Sequence, residues 1–322
     1  KIKTKPMLLS KNVITYIKGL MRVFENANCV SLANATGQSH DSLTRILNNE
    51  KLSWQTLLNN FSMRIFGKLS NGWLVIDDTI ISKVFAKKIE NLAWVYDSKI
   101  GKSIIGLNIV ALIWTNGKLT VPLGLKIYKP HSGKTRIDLA IELLKIAKRL
   151  HLRPQYVAFD SWYASGKLMK QIRQYRWHFV TRLKPNRLFN GVPLKEIQNN
   201  PYWMIEGKIA GGLKVILVRH GKKYFAASNL KLSKQEILAQ YKSRWEIETV
   251  FRMLHSKLGI DQCESRKLIA QSAHFHLCLM AYAILKNEQY ITGRSIYRIK
   301  RKCSFDFKTA DNILTKLNFQ SA

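Results

Sequence analysis

The order of apolar and polar positions divides the chain into a helical start and a mixed α/β remainder. Residues 1–70 carry apolar positions at helical spacing. Within them, residues 29–47 read as a helix-turn-helix. Leu32 and Ala33 face inward on the first helix, Gly37 makes the turn, and Ser39 caps a second helix that buries Leu43 and Ile46. The polar face of that second helix offers His40, Asp41, Thr44 and Arg45. Such a helix either reads base edges in a major groove or belongs to an ordinary helical hairpin packed on the next domain.

From residue 73 the period changes. Trp73-Leu74-Val75-Ile76 predicts a buried strand that stops at Asp77-Asp78-Thr79. Ser103–Trp114 and Leu119–Tyr128 predict a hairpin around the Asn116-Gly117 turn. A helix is expected over Arg136–Leu150, a strand over Tyr156–Phe159 ending at Asp160, a helix over 165–175 and a strand over 177–183. This is the element order of an RNase H-like α/β core. Residues 184–230 carry short strand patterns at 202–209, 213–218 and 224–227, with glycines at the turns, and read as a small β insertion. Ser233-Lys234-Gln235-Glu236 is a capping box opening a long helix to about Leu258. The apolar stretch Leu268–Leu285 contains Gln271, His274 and His276, so it predicts a buried core helix and not a membrane span, with both histidines at core or boundary positions and not as ligands. The expected divisions are 1–70, 71–183, 184–230, 231–287 and a basic tail at 288–322.

Charge sharpens this picture. Lys plus Arg number 53 and Asp plus Glu 20, a formal net charge of +33. Self-repulsion of that size favours a polyanionic partner, and nucleic acid fits best because each neutralised phosphate releases a counterion. With 46% hydrophobic residues the chain is globular, not disordered. Its four cysteines form no C-x-x-C pair, which argues against a zinc ribbon or a disulfide framework and fits a reducing cytosol.

Because acids are scarce, their positions carry weight. Asp77 and Asp160 both end apolar strands, and adjacent parallel strands would bring them together. A divalent cation makes such clustering favourable where bare carboxylates repel. Asp78 is the alternative to Asp77, since neighbours on a strand point to opposite faces. The third acid is expected from the long helix. At ~100° per residue, Tyr241, Arg244, Glu248 and His255 share an arc of ~60°, with Arg252 and Trp245 flanking it and Glu246 nearly opposite. That face either places Glu248 on metal while Arg244 and Arg252 grip phosphate, or is a solvated face of local ion pairs. Trp162 and Tyr163 either stack on an extruded base or pack in the core. Lys83, Lys87, Lys88, Lys129, His131, Lys134, Arg182 and Lys184 could line a DNA path, and Arg294, Arg298, Lys300, Arg301 and Lys302 suit backbone contacts.

The Asp77-Asp78-Thr79 strand end, the Phe159-Asp160-Ser161-Trp162-Tyr163 strand end and the Tyr241-x2-Arg244-x3-Glu248 helix together resemble the DDE transposases of bacterial insertion sequences, in the group with a Y-R-E-K signature and a β insertion before the Glu helix. The resemblance spans about residues 30–285. One position departs from it: where the signature has Lys, seven residues after the Glu, this chain has His255. An imidazole still donates to phosphate and carries charge near neutral pH.

The resemblance implies an RNase H-like catalytic core and cut-and-paste transposition, with Asp77, Asp160 and Glu248 holding two Mg2+ ions, for which Mn2+ can substitute. It also implies double-stranded DNA as transposon ends and target, a homodimer on that DNA, no membrane, and a nucleoid-associated place in the bacterial cytoplasm. Tyr241, Arg244, Arg252, His255, Trp162, Arg45 and Thr44 are the expected DNA contacts. The rival readings are an RNase H-like nuclease that cuts without joining, a non-catalytic DNA-binding protein, and an interaction module.

Overall fold

A computed structural model describes residues 8–24, 26–97, 100–197, 202–209, 211–317 and 320–321. The chain runs β1 (Leu8–Leu9), α1 (Lys11–Arg22), α2 (Cys29–Thr36), α3 (His40–Leu47), α4 (Trp54–Phe66), β2 (Trp73–Ser82), β3 (Ala93–Asp97), β4 (Lys102–Thr115) and β5 (Thr120–Ile127). It continues through α5 (Arg136–Arg149), β6 (Val157–Phe159), α6 (Gly166–Gln174), β7 (Phe179–Leu183), β8 (Leu188–Phe189), β9 (Val192–Pro193), α7 (Leu194–Ile197), β10 (Tyr202–Ile209), β11 (Leu213–His220) and β12 (Lys223–Ala227). It closes with α8 (Lys234–Lys242), α9 (Trp245–Lys257), α10 (Leu268–Thr292), α11 (Ile296–Phe305), α12 (Phe307–Lys316) and β13 (Gln320–Ser321).

One mixed sheet of 11 strands organises the protein, in the order β3-β4-β2-β6-β7-β12-β11-β10-β8-β9, with β5 also on β4. Its centre is parallel, β2 to β6 and β6 to β7, and its flanks are antiparallel. The residues expected as a β insertion therefore extend this sheet, because β12 pairs along β7. The period-2 alternation of a strand splits the core in two. Val75 and Ile81 of β2 and Ala158 of β6 face one core, shared with α1, α9 and α10. Leu74 and Ile76 of β2 and Val157 and Phe159 of β6 face the other, shared with α5 and α6.

Four expectations need correction. The strand through Asp77 does not stop there but runs on to Ser82, because Ile80 and Ile81 prolong its pairing with β4. The long helix after the capping box is two helices. Between them, Arg244 N donates to Tyr241 O at 3.0 Å and Glu246 N to Ser243 O at 3.2 Å, the bonds of a tight 3-10 turn. Ser39 stands at the N-cap of α3, yet its side chain makes no capping bond. The basic segment after residue 288 folds into α11 and α12, which pack on α1. There Lys300 is buried, its ammonium donating to Val23 O and to Ser304 Oγ at 3.0 Å.

The helix-turn-helix residues form α2 and α3. Gly37 occupies the left-handed region (φ 68°) between them, and Leu32, Ala33, Leu43 and Ile46 are buried as the spacing predicts. Helix α10 is long and apolar enough to cross a membrane, but 89% of its apolar window is buried inside the protein. His274 and His276 lie within it, both buried.

Candidate active site

The centre of the sheet and α9 converge on one face of β2. Strands β2 and β6 run parallel, with Leu74 opposite Val157 and Val75 opposite Ala158. Asp77 falls on the face of β2 that carries Val75, which is the face covered by α9, and Asp160 directly follows β6 close enough to Asp77 to act on its charge. Asp78, one residue on, points to the opposite face.

Helix α9 is anchored by Ile247, Val250, Phe251 and Leu254, all buried and spaced i, i+3, i+4, i+7. Burial of each is worth roughly 1.5–3 kcal/mol, enough to set the rotation of the helix. That rotation turns Glu248 toward the sheet. Arg244, in the tight turn at the start of α9, joins the two elements: its Nη1 donates to Asp77 Oδ2 at 2.6 Å and its Nη2 to Glu248 Oε1 at 2.6 Å. The Tyr241 ring centre lies 5.8 Å from the guanidinium carbon, and Tyr241 packs edge-on against Phe225. Glu246 faces elsewhere and accepts from Thr120 Oγ1 of β5 at 3.1 Å. His255, two turns beyond Glu248, approaches Thr79 Oγ1 with its Nε2 at 3.1 Å. Arg252 is exposed on α9.

The electrostatics follow from this crowding. Burial pushes the Asp77 carboxyl up to about 7, Arg244 opposes the shift, and Asp160 and Asp78 add to it. For Arg244, burial works against the charge, but Asp77, Tyr241 and Glu248 outweigh it and hold the guanidinium firmly protonated. Asp160 is fixed differently: its Oδ1 accepts from the backbone N–H of Trp162 at 2.9 Å and of Tyr163 at 3.1 Å. Asp77, Asp160 and Glu248 offer only carboxylate oxygens, the hard donors that Mg2+ and Mn2+ take. The Arg244 guanidinium now supplies positive charge between two of them. Among the described residues no three His, Cys, Asp or Glu side chains already close around one point. The donor set thus fits a hard divalent ion in its chemistry, with Arg244 as the group that must give way or share.

Residues 71–284 match the family described as Transposase DDE domain. The chain belongs to the DDE transposase domain family. Such a family implies use of a divalent metal on DNA. A curated relative from Synechocystis sp. (strain ATCC 27184 / PCC 6803 / Kazusa), assigned as a transposase for insertion sequence element IS4SA, is 28% identical over 129 residues. That match covers 37% of this chain and 36% of the relative, so it spans about a third of the relative's length. Among solved structures, the fold is similar to the cryo-EM structure of the piggyBac transposase synaptic complex with hairpin DNA. The TM-score is 0.59 at 12% identity, over 96% of this chain and 73% of that one.

Of the other expected contacts, only some adjoin the site. Trp162 is 41% exposed beside Asp160, while Tyr163 is fully buried. Thr44 and Arg45 sit on α3, Thr44 half-buried and Arg45 exposed. Lys83, expected along a DNA path, is buried and donates to the carbonyls of Asp261 and Cys263 at 2.6 Å. A network behind the site went unforeseen. Asp78 Oδ2 accepts from Asn108 Nδ2 at 2.6 Å and Arg136 Nη1 at 2.8 Å. Its only signal in the sequence was the second Asp itself, an acid next to an acid in a chain poor in them.

Proposed function

We propose that this DDE family member is a DNA transposase that cuts at the ends of an insertion sequence and joins the freed 3′-hydroxyl to target DNA. The observation that supports this most strongly is the placement of Asp77 and Glu248 on one Arg244 side chain, with Asp160 directly after the end of the neighbouring strand β6. On this reading the mixed sheet is an RNase H-like core, widened by the β insertion.

Asp77, Asp160 and Glu248 would hold two Mg2+ ions, or Mn2+ in their place. Metal held there would supply Lewis acidity for activating the attacking water or 3′-hydroxyl and for neutralising charge at the leaving oxygen. The protein's own groups orient the DNA. Arg244, released from its two carboxylates, is a planar donor for phosphate oxygens, with Tyr241 supporting it. Arg252 is exposed for backbone contact, and His255 stands where a cation would meet phosphate. The exposed face of α3, with Thr44 and Arg45, reads DNA from a major groove. The working unit is a homodimer on paired DNA ends in the bacterial cytoplasm, at the nucleoid.

The test is cleavage and strand transfer on DNA carrying the ends of the chain's own element. Activity that requires Mg2+ and is lost in Asp77→Ala, Asp160→Ala and Glu248→Ala supports the reading. Cleavage without joined product would make the protein a nuclease. Metal-independent binding alone would make it a non-catalytic DNA-binding protein.

A further inference from the structure

Strand β4 outruns its neighbours in the sheet. Its pairing with β2 ends at Gly106, opposite Ser82, and its pairing with β5 ends at Ile109. One more bond, from Lys83 N to Ile105 O at 2.9 Å, ties Ile105 to the chain leaving β2. From Ile104 back to Lys102, β4 pairs only with β3 among the described residues. Val95 lies opposite Ile104, Tyr96 opposite Ser103 and Asp97 opposite Lys102. A two-stranded antiparallel ribbon thus extends the sheet. It leaves two large rings in solvent: Trp94 is 72% exposed and Tyr96 64%.

Residues directly opposed in an antiparallel pair share a face, so Trp94 lies on the face of Ile105 and Tyr96 on that of Ser103. Counting by two along β4 from Ser103 leads through Leu107 and Ile109 to Ala111, which is opposite Asp77. Both rings are therefore on the side of the sheet that carries Asp77. Neighbouring exposed rings mark a binding surface, and the charges around them say for what. Lys87, Lys88 and Lys102 are exposed, while Glu90 is engaged by the Leu268 N–H at 2.8 Å. A second copy brings the same cations and the same net charge of +33, so like ribbons repel. A DNA duplex neutralises those cations, and its major groove, about 12 Å wide, admits a two-stranded ribbon.

We infer that the β3–β4 ribbon is a DNA-binding arm that enters the major groove of the paired DNA leading to the site. Trp94 and Tyr96 touch base edges there, and Lys102 meets a phosphate. The inference rests on the transposase reading and adds a second contact to the same duplex. The register also gives its place. Ile105 is six residues from Ala111 along β4, and Ser103 is eight. At ~3.3 Å per residue the rings stand about 20–26 Å from Asp77, the length of roughly six to eight base pairs.

The experiment measures binding of the full chain, without divalent metal, to end DNAs trimmed on either side of the reacting phosphate from about twelve base pairs to about four. A variant carrying Trp94→Ala and Tyr96→Ala should bind the long DNA roughly tenfold more weakly and the DNA trimmed on the contacted side within about twofold. Lys102→Ala should flatten the salt dependence by about one released counterion, on the long DNA alone. Protection of guanine N7 from methylation, roughly six to eight base pairs from the cut, should vanish in the double variant. Losses that fall equally on long and trimmed DNAs, or protection that survives, would overturn the arm. A wild-type dimer that forms without DNA and that Trp94→Ala breaks would give the ribbon to a second copy and also overturn it. Thermal midpoints check folding, and the two single variants repeat the comparison if the double variant does not fold. A length-dependent loss in a protein that neither cuts nor joins in Mg2+ refutes the transposase reading and keeps the arm. Normal cutting and joining with no such loss does the reverse.

Discussion

Asp77 and Asp78 are neighbours in the chain and opposites in the fold. Asp77 faces α9, shares Arg244 with Glu248, and has its carboxyl pushed up to about 7 by burial and by Asp160 and Asp78. Asp78 faces α5 and is satisfied by Asn108 and Arg136. One residue along a strand thus separates an acid crowded by acids from an acid enclosed by donors. The difference teaches how a strand separates two roles for one residue type: Asp77 faces other carboxylates and shares its one guanidinium with Glu248, while Asp78 is matched by its own donors.

The sharpest way to break this contrast is to neutralise each acid in turn. Glu248→Gln and Asp77→Asn should each lower DNA cleavage by about a thousandfold or more, as expected when a group acts in the reaction itself. Asp78→Asn should cost about tenfold or less, since Asp78 faces away from α9 and is bound by Asn108 and Arg136. Equal losses from Asp77→Asn and Asp78→Asn, measured as initial cleavage rates, would erase the contrast.

Glu246→Gln sharpens it from the helix side. With Glu246 turned to Thr120, the variant should keep cleavage within about threefold of wild type, against the collapse in Glu248→Gln. His255→Lys, which restores the signature residue, should hold or slightly improve end binding. A binding titration showing complete loss would mean that the His255 contact to Thr79 is needed in its own right.

The smallest effect expected lies far from the site, in α10. Burial pushes His274 and His276 down to about 4, so both are neutral in the folded protein. His274 approaches Tyr16 OH and Gly259 O, each at 2.9 Å. A folded value below the unfolded 6.5 means that the unfolded chain takes up protons first. Stability from these residues is therefore complete above pH 6.5 and falls as pH drops toward 4. The thermal midpoint should decline over that window, and less steeply in His276→Gln. An unchanged slope would show that the histidines are not what titrates.

Much of the site was legible where its information is local. The helical period alone turned Glu248 in and Glu246 out, and the end of the apolar run before Asp160 coincides with the end of β6, whereas Asp77 stood out only as an acid after an apolar run in a strand that continues past it. Strand register is not local, so nothing before the structure could choose Asp77 over Asp78 by pairing. The break at Ser243-Arg244 was invisible because no glycine or proline marks it. Strand β3 was missed although Ala93-Trp94-Val95-Tyr96 has strand-forming residues, since Trp94 and Tyr96 remain exposed and give no buried alternation. In the C-terminal segment the basic residues masked Ile296, Ile299 and Cys303, whose helical spacing was the signal for α11.

The central claim, that Asp77 and not Asp78 binds the metal, is tested most directly by metal rescue. A thiolate binds softer ions in preference to Mg2+. Asp77→Cys should be inactive in DNA cleavage with Mg2+ and recover in Mn2+, while Asp78→Cys shows no such switch. Rescue by Mn2+ confined to Asp78→Cys would contradict the account.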